Sequence, residues 1–171
     1  MQNFIPTIDH GRVFNSEIMI INDKQDTENG IVLIHAKTDG PPIHKHSVQE
    51  EVFTVLEGEL DIYKEDKWIK VEKGVSIHIP KNVAHTYKNS SHEACYFRYV
   101  ITPKGSFTSM MQDFERLIKN GKLRSTKDLK SVIYLSMVFR KYKDSVSSVV
   151  PPNFIMTLMA GIGKLLGFRT N

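Results

Sequence analysis

The sequence predicts a mainly antiparallel β fold, either a sandwich or a barrel, followed by a helical C-terminal extension. Residues 1–103 contain about eight short runs rich in β-branched and aromatic residues, separated by turn-forming residues. Residues 104–171 change to apolar spacings of three and four residues, which are typical of helices. We therefore divide the chain into a β-barrel domain over 1–103 and a helical extension over 104–171.

The predicted strands are short, and no helical pattern interrupts them, which favours antiparallel pairing. Asn-Gly, Gly-Pro-Pro, Glu-Asp, Lys-Gly and Asn-Ser-Ser segments are interpreted as the turns between them. The strands are expected over residues 16–22, 31–37, 51–58, 59–64, 67–73, 75–80, 84–89 and 94–101.

Three helices are predicted in the extension. The first has an apolar face from Phe107 to Ile118 and stops at Asn120-Gly121; the second begins near Ser125 or Thr126. The third follows Pro151-Pro152. We expect its apolar side to pack on the barrel or on the other helices, with a dimer contact or a membrane surface as alternatives. That side comprises Phe154, Ile155, Leu158, Met159, Ile162, Leu165 and Leu166.

Amino-acid composition and charge indicate which kinds of site and which cell compartment to expect. Cys95 is the single cysteine, which excludes an intrachain disulfide and a thiolate zinc cage and fits a reducing compartment. The sequence has no signal-peptide pattern and no apolar run long enough for a membrane span, so we expect a cytoplasmic protein.

The net charge of +4 combines −4 in residues 1–103 with +8 in residues 104–171. Since no nucleic-acid-binding motif accompanies the basic extension, we interpret it as a solvated helical surface and expect no nucleic-acid partner.

The segment PPIHKHSVQEEVFTVLEGEL, residues 41–60, contains the first candidate metal ligands. Side chains alternate along a strand, so His44 and His46 point to the same face. Glu51 follows His46 by five residues, an odd offset that requires a turn or bulge between them. Glu50 would then point away and is the weaker candidate.

The segment GVSIHIPKNVAHTYKN, residues 74–89, adds a fourth ligand. Pro80 ends one strand, Asn82 is suited to a left-handed turn, and His85 opens the next strand. Three imidazoles and one carboxylate favour a single divalent transition metal, Fe, Mn, Ni, Cu or Zn, over Ca or Mg. Further pocket residues are proposed at Gln49, Phe53, Tyr87 and Arg98, whereas His10, His35, His78 and His92 are assigned no role.

The first segment resembles the first conserved motif of the cupin superfamily, Gly, five residues, His-x-His, three or four residues, Glu, six residues, Gly. His44, His46, Glu51 and Gly58 match it. Gly40 departs from it, because three residues rather than five separate it from His44.

The second segment resembles the second cupin motif, Gly, five residues, Pro-x-Gly, two residues, His, three residues, Asn. Gly74, Pro80, His85 and Asn89 match it, and Asn82 stands in place of the inner glycine. The extension is also similar to that of small bacterial cupins with helices after the barrel, at residues 151–152 and 165–169.

The resemblance implies a double-stranded β-helix, or jelly-roll barrel, with a metal held inside by the His-His-Glu-His set and a small-molecule substrate entering at one end. The leading hypothesis is a metal-dependent enzyme acting on a small organic molecule, a quercetinase-like dioxygenase in which Glu51 is a catalytic base. The alternative is a non-enzymatic module that binds or senses a small molecule; sugar-nucleotide epimerase chemistry is less favoured. Family members often pair through barrel edges, so we also expect a homodimer.

Overall fold

The computed structural model describes residues 4–21 and 26–170. Its strands pair antiparallel in two facing sheets, and helices follow the last strand of the barrel, as the sequence predicts. The strands are β1 (Ile8–Asp9), β2 (Ser16–Ile21), β3 (Glu28–Ile34), β4 (Thr38–Asp39), β5 (Ile43–Lys45), β6 (Glu50–Glu57), β7 (Glu59–Lys64), β8 (Lys67–Glu72), β9 (Ser76–Ile79), β10 (His85–Asn89), β11 (Cys95–Thr102) and β12 (Ser147–Val150).

The chain alternates between the two sheets as a jelly roll does. One sheet has the strand order β1-β2-β3-β11-β6-β9; the other has the order β12-β5-β10-β7-β8, with β4 also pairing with β10. The chain crosses from the second sheet to the first between β5 and β6. This crossing brings the strand that contains His44 opposite the strand that contains Glu51.

Inward-facing side chains of both sheets form the barrel core. Phe53, Phe97 and Tyr99 come from the first sheet, and Leu60 and Ile62 from the second, all at most 4% exposed. Burying apolar area on this scale is the main favourable term in folding. The core therefore fixes both sheets, and the ligand strands with them.

One predicted turn is wrong. Asn29-Gly30 lies inside β3, which begins three residues earlier than the predicted strand 31–37. A Cβ at position 30 would lie 2.7 Å from Tyr99 Oη, so this glycine makes room for a ring on the neighbouring strand. Asn22, the last residue of the predicted strand 16–22, lies outside the described residues. The Glu65-Asp66 turn is confirmed, with both residues at positive φ.

The three helices of the extension are confirmed, although the second begins later than predicted. The Asp128 carboxylate accepts a hydrogen bond from Ser131 N at 3.0 Å, so α3 starts after Asp128 and not near Ser125.

Further elements were not predicted from the sequence. They include β12, which returns from the extension to pair with β5, and a short N-terminal helix. The division into domains at residue 103 stays a prediction. The helices are α1 (Gly11–Phe14), α2 (Phe107–Lys119), α3 (Leu129–Lys141) and α4 (Asn153–Leu165).

The expected packing face of α4 is wrong. The buried residues of this helix are Met156, Ala160 and Gly163, and α4 packs against α3. A Cβ on Gly163 would lie 2.6 Å from Ile133 Cγ2, so small residues let the two helices approach closely. Several large apolar side chains are exposed instead, at Phe154, Leu158, Leu165 and Leu166. Among the described residues, no helix has the length and apolar character that a membrane crossing would need.

A buried carboxylate attaches α2 to the barrel. Glu28, at the start of β3, is 2% exposed. Its two oxygens accept hydrogen bonds from Gly105 N at 2.9 Å, Phe107 N at 3.3 Å and Thr108 N at 2.7 Å. The carboxylate thus accepts hydrogen bonds from N–H groups at the N-terminal, positive end of α2. This helix cap comes from a strand that is distant in sequence.

A second buried carboxylate joins α2 to α3. Asp113 lies on α2 and accepts hydrogen bonds from Lys141 Nζ at 2.5 Å and Tyr142 Oη at 2.9 Å, with Arg116 also in contact. Burial raises the pKa of Asp113, but the hydrogen bonds from Lys141 and Tyr142 outweigh it and lower the pKa. The helices of the extension therefore form one connected unit above the barrel.

Substituting Glu28 by Gln should destabilise the fold, since the amide removes the charge and turns one acceptor into a donor facing backbone N–H groups. We expect a loss of about 1–3 kcal/mol in the free energy of unfolding, measured by chemical denaturation. Glu72→Gln on the exposed side of β8 is the matched control, with a change within about 0.5 kcal/mol. Equal effects of the two substitutions would contradict the role of Glu28.

Candidate metal centre

Four side chains from three strands and one bend meet inside the barrel. One ligand atom from each of His44, His46, Glu51 and His85 lies within 4.8 Å of all the others. Two ligands on opposite sides of an ion with bonds of about 2.1 Å are about 4.2 Å apart, so the cluster needs only a small contraction to surround a cation. The structure therefore brings together the complete set of ligands expected from the sequence.

The sheet architecture explains why residues far apart in sequence converge. His44 on β5 and His85 on β10 are directly paired across neighbouring strands. After His46 the chain bends at Ser47 and Val48 and enters the other sheet, where Glu51 points inward from β6. The turn or bulge that was expected between His46 and Glu51 is thus the place where the chain crosses from one sheet to the other.

The flanking positions behave as the sequence analysis expected. Glu50 is exposed and lies outside the cluster, where its Oε2 is 2.9 Å from His78 Nε2. Asn82 has a φ of 64°, so it adopts the left-handed conformation of the glycine it replaces. Its N–H donates to the His46 carbonyl at 2.6 Å, which joins the two motif segments.

Backbone carbonyls orient two of the imidazoles. His44 Nδ1 lies 2.8 Å from Pro42 O, and His85 Nδ1 lies 2.9 Å from Val83 O. A carbonyl oxygen only accepts hydrogen bonds, so each Nδ1 carries a proton and each Nε2 is the nitrogen left for a metal. Each carbonyl belongs to the residue two positions before its histidine. The local chain conformation is therefore enough to place it beside the ring.

The third imidazole is oriented by the extension. His46 Nδ1 donates to Ser145 O at 2.7 Å, from the segment between α3 and β12. Ser148 of the adjacent β12 is in register with His44. Partners of this kind fix the tautomer and the ring orientation of metal-binding histidines. The C-terminal extension therefore contributes to the geometry of the centre.

The electrostatics suit metal ligation. Burial, then repulsion from His85 and His46, lowers the pKa of His44 to about 3, so its ring is neutral at pH 7. Burial raises the pKa of Glu51, but contact with the His85 ring and the positive potential of the histidines lower it to about 2. Burial lowers the pKa of His85, and the adjacent Glu51 carboxylate more than reverses this. Metal binding needs neutral imidazoles, so His85 would release the proton that Glu51 favours when a cation binds.

Several atoms of the cluster lack protein partners. His46 Nε2, Glu51 Oε2 and His85 Nε2 are fully buried and have no hydrogen bond of acceptable geometry, although 2.7 Å separates His85 Nε2 from Glu51 Oε2. Buried polar atoms without partners are costly. Because the three atoms face a common point, a single cation would satisfy all of them. The nitrogen and oxygen donors fit a divalent first-row metal.

An apolar cavity of about 100 Å³ adjoins the cluster. Gln49, Phe53 and Tyr87 line it, where the sequence analysis placed them. Arg98 does not line it, and its assignment to the pocket is wrong. It lies on β11 between two inward-facing aromatic residues, so strand alternation turns it outward, with Nη2 3.4 Å from Asn29 Oδ1.

Two features of the cavity were missed from the sequence. His10 lines it and is 3% exposed; its Nε2 lies 3.1 Å from Met111 O on α2. Side chains of α2 and α3 form the wall distant from the metal cluster. Neither feature has a local signal, because both depend on how the extension folds back onto the barrel.

Known proteins match the barrel part of this chain. Residues 30–102 match the family model of the cupin domain. A protein of Aquifex aeolicus described as uncharacterized is 33% identical over 81 residues, which are 47% of this chain and 64% of that protein. Quercetin 2,3-dioxygenase of Bacillus subtilis is 26% identical over 76 residues, 43% of this chain and 23% of the enzyme. This chain thus covers less than two thirds of either curated relative.

A solved structure supports the same fold. The RmlC-like cupin of Shewanella frigidimarina aligns with a TM-score of 0.50 and 15% identity, over 58% of this chain and 85% of that protein. At this identity the likeness concerns the fold alone. The family model and the structural likeness agree on the fold: residues 30–102 match the cupin domain, and the barrel is similar in fold to a solved cupin structure.

Proposed function

We propose that His44, His46, Glu51 and His85 bind one divalent transition metal, and that the protein is a metal-dependent enzyme acting on a small organic molecule. The observation that carries this proposal is the orientation of the three imidazoles. Each Nδ1 is used by a backbone carbonyl, which leaves three Nε2 atoms and one carboxylate clustered as possible ligands. Fe, Mn, Ni, Cu and Zn all suit such donors.

We further propose that the reaction is of the dioxygenase type. The similarity to quercetin 2,3-dioxygenase supports this choice, over the 76 residues that the two proteins share. When bound, the metal would polarise substrate oxygen and supply redox or Lewis-acid chemistry. The protein's own residues would exclude water from the apolar cavity and position the substrate against the cluster.

In this proposal Glu51 has two roles. One of its carboxylate oxygens binds the metal, and the carboxylate also accepts the proton of a substrate hydroxyl. Its pKa of about 2 keeps it ionised, and its 3% exposure keeps bulk water from competing for the proton. General base catalysis of this kind contributes about 10²–10⁴-fold to a rate.

Substituting His85 by Ala should abolish stoichiometric metal binding, because it removes a buried ligand and a partner of Glu51. We expect about one metal per wild-type chain by elemental analysis and a more than tenfold weaker affinity in the variant. His78→Ala is the control, since the exposed His78 ring lies outside the cluster, with its Nε2 2.9 Å from Glu50 Oε2. Equal metal content in folded samples of both variants would contradict the assigned ligands.

Substituting Glu51 by Gln should leave much of the bound metal, because the amide oxygen still binds a cation, but should remove turnover. Oxygen uptake by protein loaded with Fe, Mn or Ni, tested against a panel of phenols, should fall at least 100-fold. Glu50→Gln, at the neighbouring exposed position, should keep the wild-type rate. Unchanged turnover in the Glu51 variant would exclude the proposed base. Binding of phenols without oxygen uptake by the wild type would instead favour a binding or sensing module.

A further inference from the structure

The wall of the cavity opposite the metal cluster belongs to the C-terminal extension. Met110, Met111 and Phe114 of α2 and Leu135 and Phe139 of α3 line it. Both helices are fixed in place, α2 by the Glu28 cap and the two helices together by the Asp113 network. The cavity therefore lies between the barrel and the extension, and these helices contribute apolar side chains to its lining.

The cavity has no positive side chain. Among the described residues that line it, none is Lys or Arg, although the extension as a whole is basic. Glu51 and Asp39 are the acidic groups in the lining. An anionic group beside the helices would therefore be buried without a Lys or Arg counter-charge, which costs several kcal/mol. The lining next to the helices thus favours an uncharged group.

Outside the metal cluster, two polar atoms of the described cavity lining lack a hydrogen-bond partner, Gln49 Oε1 and Tyr99 Oη. Gln49 is 6% exposed, lines the cavity, and its Oε1 has no hydrogen-bond partner. The side chain is held beside Gly105, where a Cβ would lie 2.4 Å from Gln49 Nε2. Gly105 begins the segment that leads into α2, so the position of this amide depends on the docking of the extension. An amide oxygen only accepts hydrogen bonds, so a hydroxyl or amine of a ligand can donate to it.

We propose that the C-terminal extension is the specificity-determining half of the ligand site: α2 and α3 bind an uncharged apolar group, and Gln49 Oε1 accepts a hydrogen bond from a hydroxyl or amine of the same ligand. This inference deepens the proposed function and rests on it for the metal-bound end of the ligand. The cavity volume of about 100 Å³ is smaller than the roughly 150 Å³ of an apolar cavity that binds benzene, so the ligand is at most a molecule of one ring.

Calorimetric titration of the zinc-loaded protein with three matched probes tests the proposal. 4-Methylphenol has the donor, 4-methylanisole lacks it, and 4-toluenesulfonate is anionic. We expect 4-methylphenol to bind about tenfold more tightly than 4-methylanisole and 4-toluenesulfonate not to bind. Tighter binding of the sulfonate than of the phenol would overturn the proposal, as would equal binding of the phenol and the anisole.

Two variants assign the effects to residues. Gln49→Leu removes the acceptor and should abolish the preference for the phenol over the anisole. Met111→Ala removes part of the helical wall and should weaken 4-methylphenol binding about fivefold, whereas Met159→Ala, on half-buried α4 surface outside the cavity, should not change it. Wild-type selectivity in the first variant, or equal affinities in the two methionine variants, would contradict the inference.

The metal content of each sample separates this inference from the proposed function. A wild-type protein that binds no zinc, but still prefers 4-methylphenol through Gln49 and Met111, would contradict the metal centre and support the specificity site. A protein that binds one zinc but shows none of the probe preferences would support the centre and overturn the specificity site.

Discussion

The whole site depends on three hydrogen bonds from imidazole Nδ1 groups to backbone carbonyls. A histidine ring can present either nitrogen, and a free ring rotates. Here the carbonyls of Pro42, Ser145 and Val83 fix which ring nitrogen is protonated and how each ring is turned. Each Nε2 therefore points to the same region of the barrel. The carboxylate of Glu51 enters from the opposite sheet and completes the set. Preorganisation of this kind means that the folding of the barrel already supplies most of the ordering that a metal site needs.

The barrel and the extension are interdependent. Ser145 O orients a histidine 99 residues earlier in the chain, and β12 covers the edge of the strand that contains His44. In the other direction, Glu28 on a barrel strand caps α2. The extension therefore acts at two distances from the cluster: its backbone orients a ligand, and its helices form the distal wall of the cavity. A description of this protein as a barrel with an accessory tail would miss both functions.

The sequence predicts well whatever depends on local pattern. Strand alternation and the two motifs located all four candidate ligands, the outward direction of Glu50 and the left-handed turn at Asn82, because each follows from a few neighbouring residues. It predicts poorly whatever depends on the approach of distant segments. Asn29-Gly30 has the composition of a turn, but the ring of Tyr99 decides its conformation from another strand.

The same limit explains the errors in the extension. The large apolar residues of α4 suggested its buried face, yet close approach to α3 requires the small residues Ala160 and Gly163. Ser145 contributes a main-chain atom, for which no side-chain pattern exists. The homodimer stays a prediction, and the exposed stripe of α4 is the surface on which it would be sought.

The tautomeric states of the histidines test this account most directly. A long-range ¹H–¹⁵N spectrum of the zinc-loaded, ¹⁵N-histidine-labelled protein distinguishes the two ring nitrogens of every imidazole. For His44, His46 and His85 we expect a protonated Nδ1 and a metal-bound Nε2, and zinc should leave the exposed ring of His78 unchanged. Zinc bound through Nδ1, or rings of these three residues that do not respond to zinc, would contradict the convergence of the Nε2 atoms on one metal.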